Sequence, residues 1–390
     1  MDRFNQIGHK CVKKEIIFLK LFLIVSIFII VTLFLADYIL FNKNLNNKVF
    51  GENLTVNAAS YVVIDGSNCS VLCGENIHKK LPMASTTKIM TAILAIENLD
   101  LNKCIKINKN AIGVEGSSIY LNGDKEYKIL DLVYGLMLRS GNDAAEALAY
   151  EISGSIESFA QLMNKKAKEL GLENTNFVNP HGLHDENHYT TAYDLAVISS
   201  YAMKNKIFRE IVSTKVHIMD STEDIFINKN KFLSKFEDAN GIKTGYTKVA
   251  GRCLVSSALK GGIQLICVVL NCPDMWNASI NLLDYAYSKY DLIELIKKND
   301  VFINDGNIKL YLKEDLLVGV EKNSSNTVSY KFRINSSNCF KKNDHVGFID
   351  VYLNNRLLFS KKTYTMEAIN SGEDIVKLNS IIINLNNGKN

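Results

Sequence analysis

The sequence has little excess charge of either sign and very few prolines. Its 390 residues include 45 Lys and Arg against 41 Asp and Glu, a formal net charge of +4. A nucleic-acid-binding surface would need a pronounced basic stripe, so this balance predicts no nucleic-acid partner. Only 3 prolines are present, and we attach no function to that bias. A hydrophobic content of 47% is typical of an ordinary folded protein, and the length suits two or three domains.

The 8 cysteines are scattered and show no metal-binding pattern. They do not form the two closely spaced pairs that a structural zinc site would require. A chain of this length also has no need of a disulfide framework. We therefore predict that most of the cysteines are small buried hydrophobic residues.

One short segment contains possible zinc ligands, namely His181, His184, Asp185 and His188. Pro180 and Gly182 interrupt any helix there, so the histidines are not held on one face. A zinc site is therefore the weaker interpretation of this segment. We predict that the protein binds no metal and needs no cofactor.

The N-terminal region has the pattern of an exported protein. Basic residues precede a charge-free, mostly apolar run at Leu21–Ala36, as in signal peptides and signal-anchors. This run is slightly short for a membrane span of about 20 residues, but Tyr38–Phe41 extends it. No small-x-small cleavage site follows directly, because Phe34 stands two residues before Ala36. We predict a retained signal-anchor, with a cleaved signal peptide as the alternative. Either way we expect the bulk of the chain to lie outside the cytoplasm, and an anchor would keep it at the cell membrane.

The order of predicted strands and helices indicates an α+β domain with helices packed on an antiparallel sheet. Two strands come first, at Ala59–Asp65 and Ser70–Cys73. Helical segments follow them, at Tyr127–Leu138, Ala144–Ile152, Ile156–Leu170 and Asp194–Lys204. Three more strands come after the helices, at Ile242–Gly245, Arg252–Leu259 and Gln264–Asn271.

A helix predicted at Tyr290–Lys298 closes this domain, and strand-like segments dominate the chain after it. They end in a hairpin signal at Asn354-Asn355, so we predict a small all-β domain. The apolar stretch Ile375–Leu385 is β-branched and rich in asparagine, and its binding to a membrane stays open. The predicted organisation is a basic cytoplasmic segment at 1–20, the signal-anchor or signal peptide at 21–41, a linker at 42–57, the catalytic domain at 58–298, the β domain at 299–370 and a tail at 371–390.

The stretch Leu81–Leu94 carries the first chemical motif. Its continuous apolar residues predict a buried helix that opens at Pro82. Ser85 and Lys88 are three residues apart and so share a helix face, which brings the amine within reach of the hydroxyl. Burial lowers the pKa of a lysine, and a serine beside such a lysine is an activated nucleophile. The motif alone is weak, because Ser257–Lys260 has the same spacing and no assigned role.

Two further motifs follow in order. Ser140-Gly141-Asn142 comes just after a predicted helix, and Lys243-Thr244-Gly245 lies on a predicted strand. Ser-x-x-Lys, Ser-x-Asn and Lys-Thr-Gly on helix, loop and strand are the signature of penicillin-binding proteins and serine β-lactamases. Over roughly Ala59–Ala368 the chain resembles the low-molecular-mass penicillin-binding proteins that act as D-alanyl-D-alanine carboxypeptidases. The segments Asn176–Leu183 and Ala239–Thr247 belong to this resemblance as well.

The resemblance implies three catalytic residues. Ser85 would be the acylated nucleophile and Lys88 its general base, while Ser140 would relay a proton to the leaving D-alanine. The substrates implied are peptidoglycan stem peptides that end in D-Ala-D-Ala, and β-lactams would be covalent inhibitors.

The same resemblance implies the substrate-binding residues. Asn142 would hold the substrate's peptide group, and Lys243 with Thr244 would bind its terminal carboxylate. Gly245 would leave room for the substrate backbone. The backbone N–H groups of Ser85 and Tyr246 would form the oxyanion hole.

Two other functions compete with this interpretation. Class A β-lactamases carry an aspartate where Gly141 stands and use a glutamate to activate the deacylating water. Glu173 is the tempting candidate for that glutamate, but its surroundings match the carboxypeptidases better, so we expect penicillin to trap the enzyme. The other alternative is a catalytically inactive relative that binds peptidoglycan or a partner. The three intact motifs weigh against it.

Overall fold

The computed structural model describes residues 48–49, 56–220, 222–303, 309–322, 327–335, 339–368 and 385–386. The predicted basic segment, the signal-anchor, nearly all of the linker and most of the tail lie outside these ranges. Within them, no helix has the length and apolar character needed to cross a membrane. The chain divides into two compact units, Met1–Val49 and Phe50–Asn390. In the first, the two-residue strand β1 (Lys48–Val49) is described.

The catalytic part of the second unit is built on an antiparallel sheet in the strand order β3-β2-β10-β9-β8. The five strands are β2 (Ser60–Asp65), β3 (Val71–Glu75), β8 (Ala239–Thr247), β9 (Gly251–Lys260) and β10 (Ile263–Leu270). Two short hairpins stand apart from this sheet. They pair β4 (Cys104–Lys106) with β5 (Glu126–Lys128), and β6 (Val216–Ile218) with β7 (Ile225–Ile227).

Eight described α-helices accompany this sheet, most of them between β3 and β8 in the sequence. They are α1 (Lys88–Asn98), α2 (Ile129–Tyr134), α3 (Asn142–Ser153), α4 (Ile156–Glu169), α5 (Ala192–Met203), α6 (Lys206–Ser213), α7 (Phe232–Lys235) and α8 (Met275–Lys289). A π-helical segment at Gly135–Arg139 continues α2. The strands before and after this block of helices confirm the predicted α+β arrangement.

Helices cover both faces of the sheet, which explains why all six residues of β2 are buried. On one face, side chains that alternate along β2 and β10 pack against α8. This cluster includes Tyr61, Val63, Leu265, Cys267, Val269, Leu282, Leu283 and Ala286. Helix α5 also contacts β2 and β10, and it covers the other face. The sheet is therefore a rigid central layer, and its outer strand β8 carries the Lys-Thr-Gly motif.

The C-terminal region is an all-β domain, as predicted, with its own apolar core. One sheet has the order β12-β13-β17-β16-β15-β18, and β11 pairs with β14 in a second. The strands are β11 (Tyr290–Ile296), β12 (Phe302–Ile303), β13 (Lys309–Tyr311), β14 (Leu316–Glu321), β15 (Thr327–Ile334), β16 (His345–Leu353), β17 (Arg356–Thr365) and β18 (Leu385–Asn386). The turn between β16 and β17 contains the predicted Asn354-Asn355 pair, and both residues have positive φ.

The predicted helix at Tyr290–Lys298 is wrong. Residues Tyr290–Ile296 form β11, because backbone pairing with β14 decides between strand and helix for a short apolar segment that fits both patterns. The helix that closes the catalytic part is α8, which the sequence analysis missed. Its buried residues recur at helical spacing, at Met275, Ser279, Leu282, Leu283 and Ala286. That periodicity was the available signal.

Most of the described cysteines are small buried residues, as predicted. Cys73, Cys253, Cys267 and Cys272 are buried, Cys69 is intermediate, and Cys104 and Cys339 are exposed. Cys69, Cys73, Cys104, Cys253, Cys267 and Cys272 are free thiols. Burial raises the pKa of the Cys253 and Cys272 thiols to about 11, so they stay protonated and unreactive at neutral pH.

Candidate active site

Ser85 lies in a 3₁₀ turn, Ala84–Thr87, that precedes α1. The predicted helix start at Pro82 is therefore wrong. Ala84 has a φ of 49°, a left-handed conformation that a continuous right-handed helix cannot contain. The Thr87 hydroxyl donates a hydrogen bond to the Ala84 carbonyl oxygen at 2.8 Å, and such local bonds compete with helix formation. The helix begins only at Lys88, which leaves Ser85 on the turn beside the cavity.

Lys88 is fully buried and has three oxygen partners. Its Nζ lies 3.1 Å from Ser85 Oγ, 2.7 Å from Asn142 Oδ1 and 2.7 Å from the carbonyl oxygen of His181. Burial lowers the pKa of Lys88 well below its ordinary value, and the like charge of Lys243 lowers it further. A neutral amine has two N–H donors and one lone pair. The two carbonyl oxygens can accept both N–H groups, which leaves the lone pair for the Ser85 hydroxyl.

The Ser-Gly-Asn motif lies where the π-helical segment ends and α3 begins. Ser140 takes a left-handed conformation, with φ 64°, and its side chain is buried at the cavity. Asn142 is the first residue of α3. Its Oδ1 accepts from Lys88, and its Nδ2 donates to the carbonyl oxygen of Glu115 at 2.6 Å. Both ends of this amide have protein partners, so holding a substrate peptide group would require one of them to be exchanged.

The next residue, Asp143, holds the segment 115–121 over the start of α3. Its carboxylate accepts hydrogen bonds from the Ser118 hydroxyl at 2.5 Å and from the backbone N–H of Ile119 at 3.1 Å. The backbone N–H of Leu121 donates to it as well, at 3.2 Å. This acid is buried yet well supplied with donors, as a buried carboxylate requires. It fixes the segment from which Ser117 lines the cavity.

The Lys-Thr-Gly motif runs along β8 next to the serine turn. A Cβ atom added to Gly245 would lie 3.0 Å from the Ser85 backbone nitrogen and 3.1 Å from the Met83 carbonyl oxygen. Any larger residue would require the turn or the strand to shift by a few tenths of an ångström, so glycine favours this close approach. Lys243 is buried, and its Nζ donates to the carbonyl oxygen of Thr244 at 3.0 Å. Burial, aided by the charge of Lys229, lowers the pKa of Lys243 to about 7.

A cavity of about 590 Å³ opens between these motifs. Its lining combines Ser85, Ser140, Thr244, Gly245 and Tyr246 with residues outside the motifs, namely Ser117, Lys229, Arg252, Met275 and Trp276. The side chain of Tyr246 is 65% exposed at the cavity. The lining has cations and hydroxyls but no carboxylate, which suits an anionic peptide substrate.

Two family models cover most of the chain described above. One, named D-alanyl-D-alanine carboxypeptidase, matches residues 47–274, and the other, named penicillin-binding protein 5, C-terminal domain, matches residues 290–371. The chain belongs to the D-alanyl-D-alanine carboxypeptidase family. It is a serine carboxypeptidase of that family, with the C-terminal domain of penicillin-binding protein 5.

The relatives of this carboxypeptidase agree with that assignment. It is 38% identical over 259 residues to D-alanyl-D-alanine carboxypeptidase DacF of Bacillus subtilis, a match that covers 64% of this chain and 67% of the relative. It is 30% identical to DacC of Escherichia coli over 346 residues, which cover 82% of this chain and 86% of that one. Penicillin-binding protein 5 from Haemophilus influenzae has the same fold, with a TM-score of 0.69 at 26% identity, over 83% of this chain and all of the other.

Five residues that line the cavity of this carboxypeptidase lie outside the motifs and were not predicted from the sequence. Lys229 follows β7, and Arg252 lies on β9 directly opposite Tyr246. The register of β8 and β9 was the signal that could have found Arg252, because a residue opposite the motif strand lies at the same site. Nothing in the local sequence indicates Lys229 or Trp276, which only the tertiary fold brings to the cavity.

The residues proposed for a zinc site and for a β-lactamase glutamate have other roles or positions in the fold. His188 Nε2 lies 2.8 Å from Thr87 Oγ1, and the Val178 N–H donates to His188 Nδ1 at 3.1 Å, so both ring nitrogens have partners. Among the described residues, no three His, Cys, Asp or Glu side chains are grouped to hold a metal ion. Glu173 lines a separate cavity of about 570 Å³ that does not include Ser85.

Proposed function

We propose that this carboxypeptidase removes the terminal D-alanine from peptidoglycan pentapeptide stems through an acyl-enzyme on Ser85. The observation that carries the proposal is the buried Lys88 amine, whose two carbonyl acceptors leave its lone pair for Ser85 Oγ at 3.1 Å. Serine beside a desolvated lysine is a recognised form of activated nucleophile. The alternative, a relative that only binds peptidoglycan or a partner, gives no reason for this arrangement.

The proposed reaction gives each of these groups a step. Ser85 Oγ attacks the carbonyl carbon of the D-Ala-D-Ala bond while its proton passes to Lys88 Nζ. The N–H groups of Ser85 and Tyr246 stabilise the oxyanion, each worth roughly 3–4 kcal/mol. The C–N bond then breaks, and Ser140 relays a proton to the leaving amine of D-alanine. Water hydrolyses the ester to free the serine and release the shortened stem.

Recognition of the free carboxylate is assigned to Lys243 and Thr244, and it gives the test of the proposed function. We expect D-alanine release from a pentapeptide ending in D-Ala-D-Ala, with kcat/KM on the order of 10²-fold or more above that for the C-terminal amide. The reason is that the amide leaves a buried cation without its partner. The measurement is the rate of D-alanine release from the acid peptide and of D-alanine amide release from the amide peptide.

The preference for the acid should also depend on pH. The pKa of Lys243 is about 7, below its ordinary value, so the side chain is charged below pH 7 and neutral above it. The acid-to-amide ratio in kcat/KM, which reports the free enzyme, should therefore fall as the pH rises through 7. Equal turnover of the two peptides at every pH would contradict the assignment of Lys243. Failure of the purified protein to release D-alanine from the pentapeptide would support the binding-only alternative.

A membrane anchor is the second part of the proposal, and it rests on the sequence of residues 21–41. If this segment is retained, the basic N-terminus stays inside and the catalytic domain lies outside the cell membrane. Expression without residues 1–41 should then release a soluble protein that still binds penicillin, because the sheet begins at Ser60. N-terminal sequencing of the protein from native membranes provides the measurement. A mature chain that begins after Ala36 or Ala58 would instead mean a cleaved signal peptide.

A further inference from the structure

We propose that Glu146 and His181 form a positioning pair that aims the lone pair of Lys88 at Ser85. The inference rests on the proposed function, because it concerns how the general base of that reaction is oriented. Neither residue lines the cavity that contains Ser85. Their effect on the reaction therefore passes through Lys88.

The orientation of Lys88 depends on two oxygens that belong to different parts of the chain. Asn142 Oδ1 comes from the first turn of α3, and the carbonyl oxygen of His181 comes from the loop Asn179–Leu183. Each lies 2.7 Å from Lys88 Nζ. A neutral amine points its lone pair at Ser85 only while both oxygens hold its N–H groups. A shift of the loop relative to α3 would turn the lone pair away.

A side-chain contact ties this loop to α3. Glu146 lies four residues after Asn142 and so projects from the same face of the helix. Its Oε1 lies 3.3 Å from His181 Nε2. The contacts therefore close a ring that runs from Lys88 through Asn142 and α3 to Glu146, then through His181 back to Lys88. Both side chains are largely buried, with exposed fractions of 7% for His181 and 15% for Glu146.

The His181 ring is neutral and donates a hydrogen bond to Glu146. The Leu183 N–H donates to His181 Nδ1 at 3.1 Å, so the proton of a neutral ring is on Nε2 and points to Glu146. Burial lowers the pKa of His181, and the nearby Lys88 amine acts in the same direction, although Glu146 opposes it. Lys243, Lys229 and Asp143 are the charges that shift the pKa of Lys88, and Glu146 is not among them. The 3.3 Å contact assigns Glu146 the role of acceptor for the His181 Nε2–H.

Other bonds keep the loop folded without this contact. Asn179 Oδ1 accepts from the Gly182 N–H at 2.7 Å, and the Thr91 hydroxyl donates to the Pro180 carbonyl oxygen at 2.6 Å. Removing the Glu146 acceptor should therefore free the His181 peptide while the surrounding fold persists. This separates a loss of positioning from a loss of structure.

The test compares Glu146→Ala with Glu146→Gln in the rate of acylation by a labelled penicillin. Glutamine keeps an acceptor for His181 Nε2–H, so Glu146→Gln should acylate close to the native rate. Glu146→Ala should slow acylation by about 10-fold to 10²-fold, the range expected for a small misplacement of a catalytic group. The non-covalent binding constant that precedes acylation should not change, because Glu146 does not touch the cavity.

Two further variants complete the test. Glu151→Ala removes another carboxylate of α3, which pairs with Lys103 at 2.8 Å, and should leave the rate unchanged. His181→Asn keeps an acceptor for the Leu183 N–H but loses the bond to Glu146, so its acylation rate should match that of Glu146→Ala. The double variant Glu146→Ala/His181→Asn should acylate no more slowly than either single variant.

The outcomes distinguish this inference from the proposed function. If the native protein is not acylated at Ser85, the proposed function itself fails. If the native protein is acylated and Glu146→Ala acylates equally fast, only the positioning role is wrong. Equal losses in Glu146→Ala and Glu146→Gln would show that charge matters and would also overturn the pair. Slower acylation with weaker non-covalent binding would assign Glu146 to substrate binding instead.

Discussion

Ser85→Ala should abolish covalent labelling by penicillin and lower D-alanine release by on the order of 10⁵-fold or more, as removal of a serine nucleophile does in other hydrolases. The reason is that no other hydroxyl is bonded to the buried amine of Lys88 among the contacts described, whereas Ser85 Oγ lies 3.1 Å from it. Mass spectrometry of peptides from the labelled native protein should locate the adduct on Ser85. Non-covalent binding of the substrate should persist in the variant, because Lys243 and Thr244 are unchanged.

The chain provides a matched control for this substitution. Ser257 belongs to the second Ser-x-x-Lys sequence, but it lies buried on β9 and its hydroxyl donates to Asn240 Oδ1 at 2.7 Å. Ser257→Ala should therefore leave labelling and D-alanine release at the native level. Labelling that survives in Ser85→Ala, or an adduct on Ser257, would contradict the assignment of the nucleophile.

The sequence predicted the parts of the site that depend on local spacing. Ser85 and Lys88 meet because they are three positions apart on a helical turn, and the Lys-Thr-Gly motif lies on a strand because its neighbours have a strand pattern. The meeting of β8 with the serine turn could not be predicted from spacing. It is favoured by Gly245, because a Cβ at this position would crowd the Ser85 backbone nitrogen at 3.0 Å.

Backbone atoms account for most of what the sequence could not show. The carbonyl oxygen of His181 binds Lys88, yet every residue type has such an oxygen, so no motif indicates it. Ala84 has a left-handed backbone conformation, so a helix that starts at Pro82 cannot continue through it. Alanine rarely adopts this conformation, so the sequence contains no sign of it. The error at Tyr290–Ile296 has a different cause, since a short apolar segment becomes a strand only when a partner such as β14 is available.

Lys88 and Lys243 are both buried near each other, but the proposed reaction needs one neutral and the other charged. Lys88 must be neutral to accept a proton, whereas Lys243 must be charged to bind a carboxylate. Burial lowers the pKa of both, and mutual repulsion lowers that of Lys88 further. Their different neighbours fit the different tasks. The carbonyl oxygens around Lys88 orient its neutral form, whereas Lys243 is adjacent on β8 to Thr244, which lines the cavity. A substrate carboxylate would raise the pKa of Lys243 and hold it charged.

Lys88→Met should lower the rate of acylation by penicillin on the order of 10²–10⁴-fold, the usual contribution of a general base. Methionine keeps the length of the side chain but cannot take the proton of Ser85. The change also leaves Asn142 Oδ1 and the His181 carbonyl oxygen without the donor they have in the native protein. Each unpaired buried acceptor costs about 1–3 kcal/mol, so thermal melting should be measured alongside to establish that the variant is folded.

The pH dependence of the acylation rate is a more specific test of the same Lys88→Met variant. The pKa of Lys88 is lowered in the folded protein, so the native rate of acylation should rise with pH as the amine loses its proton. In Lys88→Met this rising limb should be absent, and Lys88→Arg should also be slow because arginine keeps its proton. Rates of acylation by a neutral penicillin ester, measured across pH, would avoid the titration of Lys243 as a carboxylate binder. A rising limb that persists unchanged in Lys88→Met would mean that another group is the base, and Ser140 would then be the next residue to substitute.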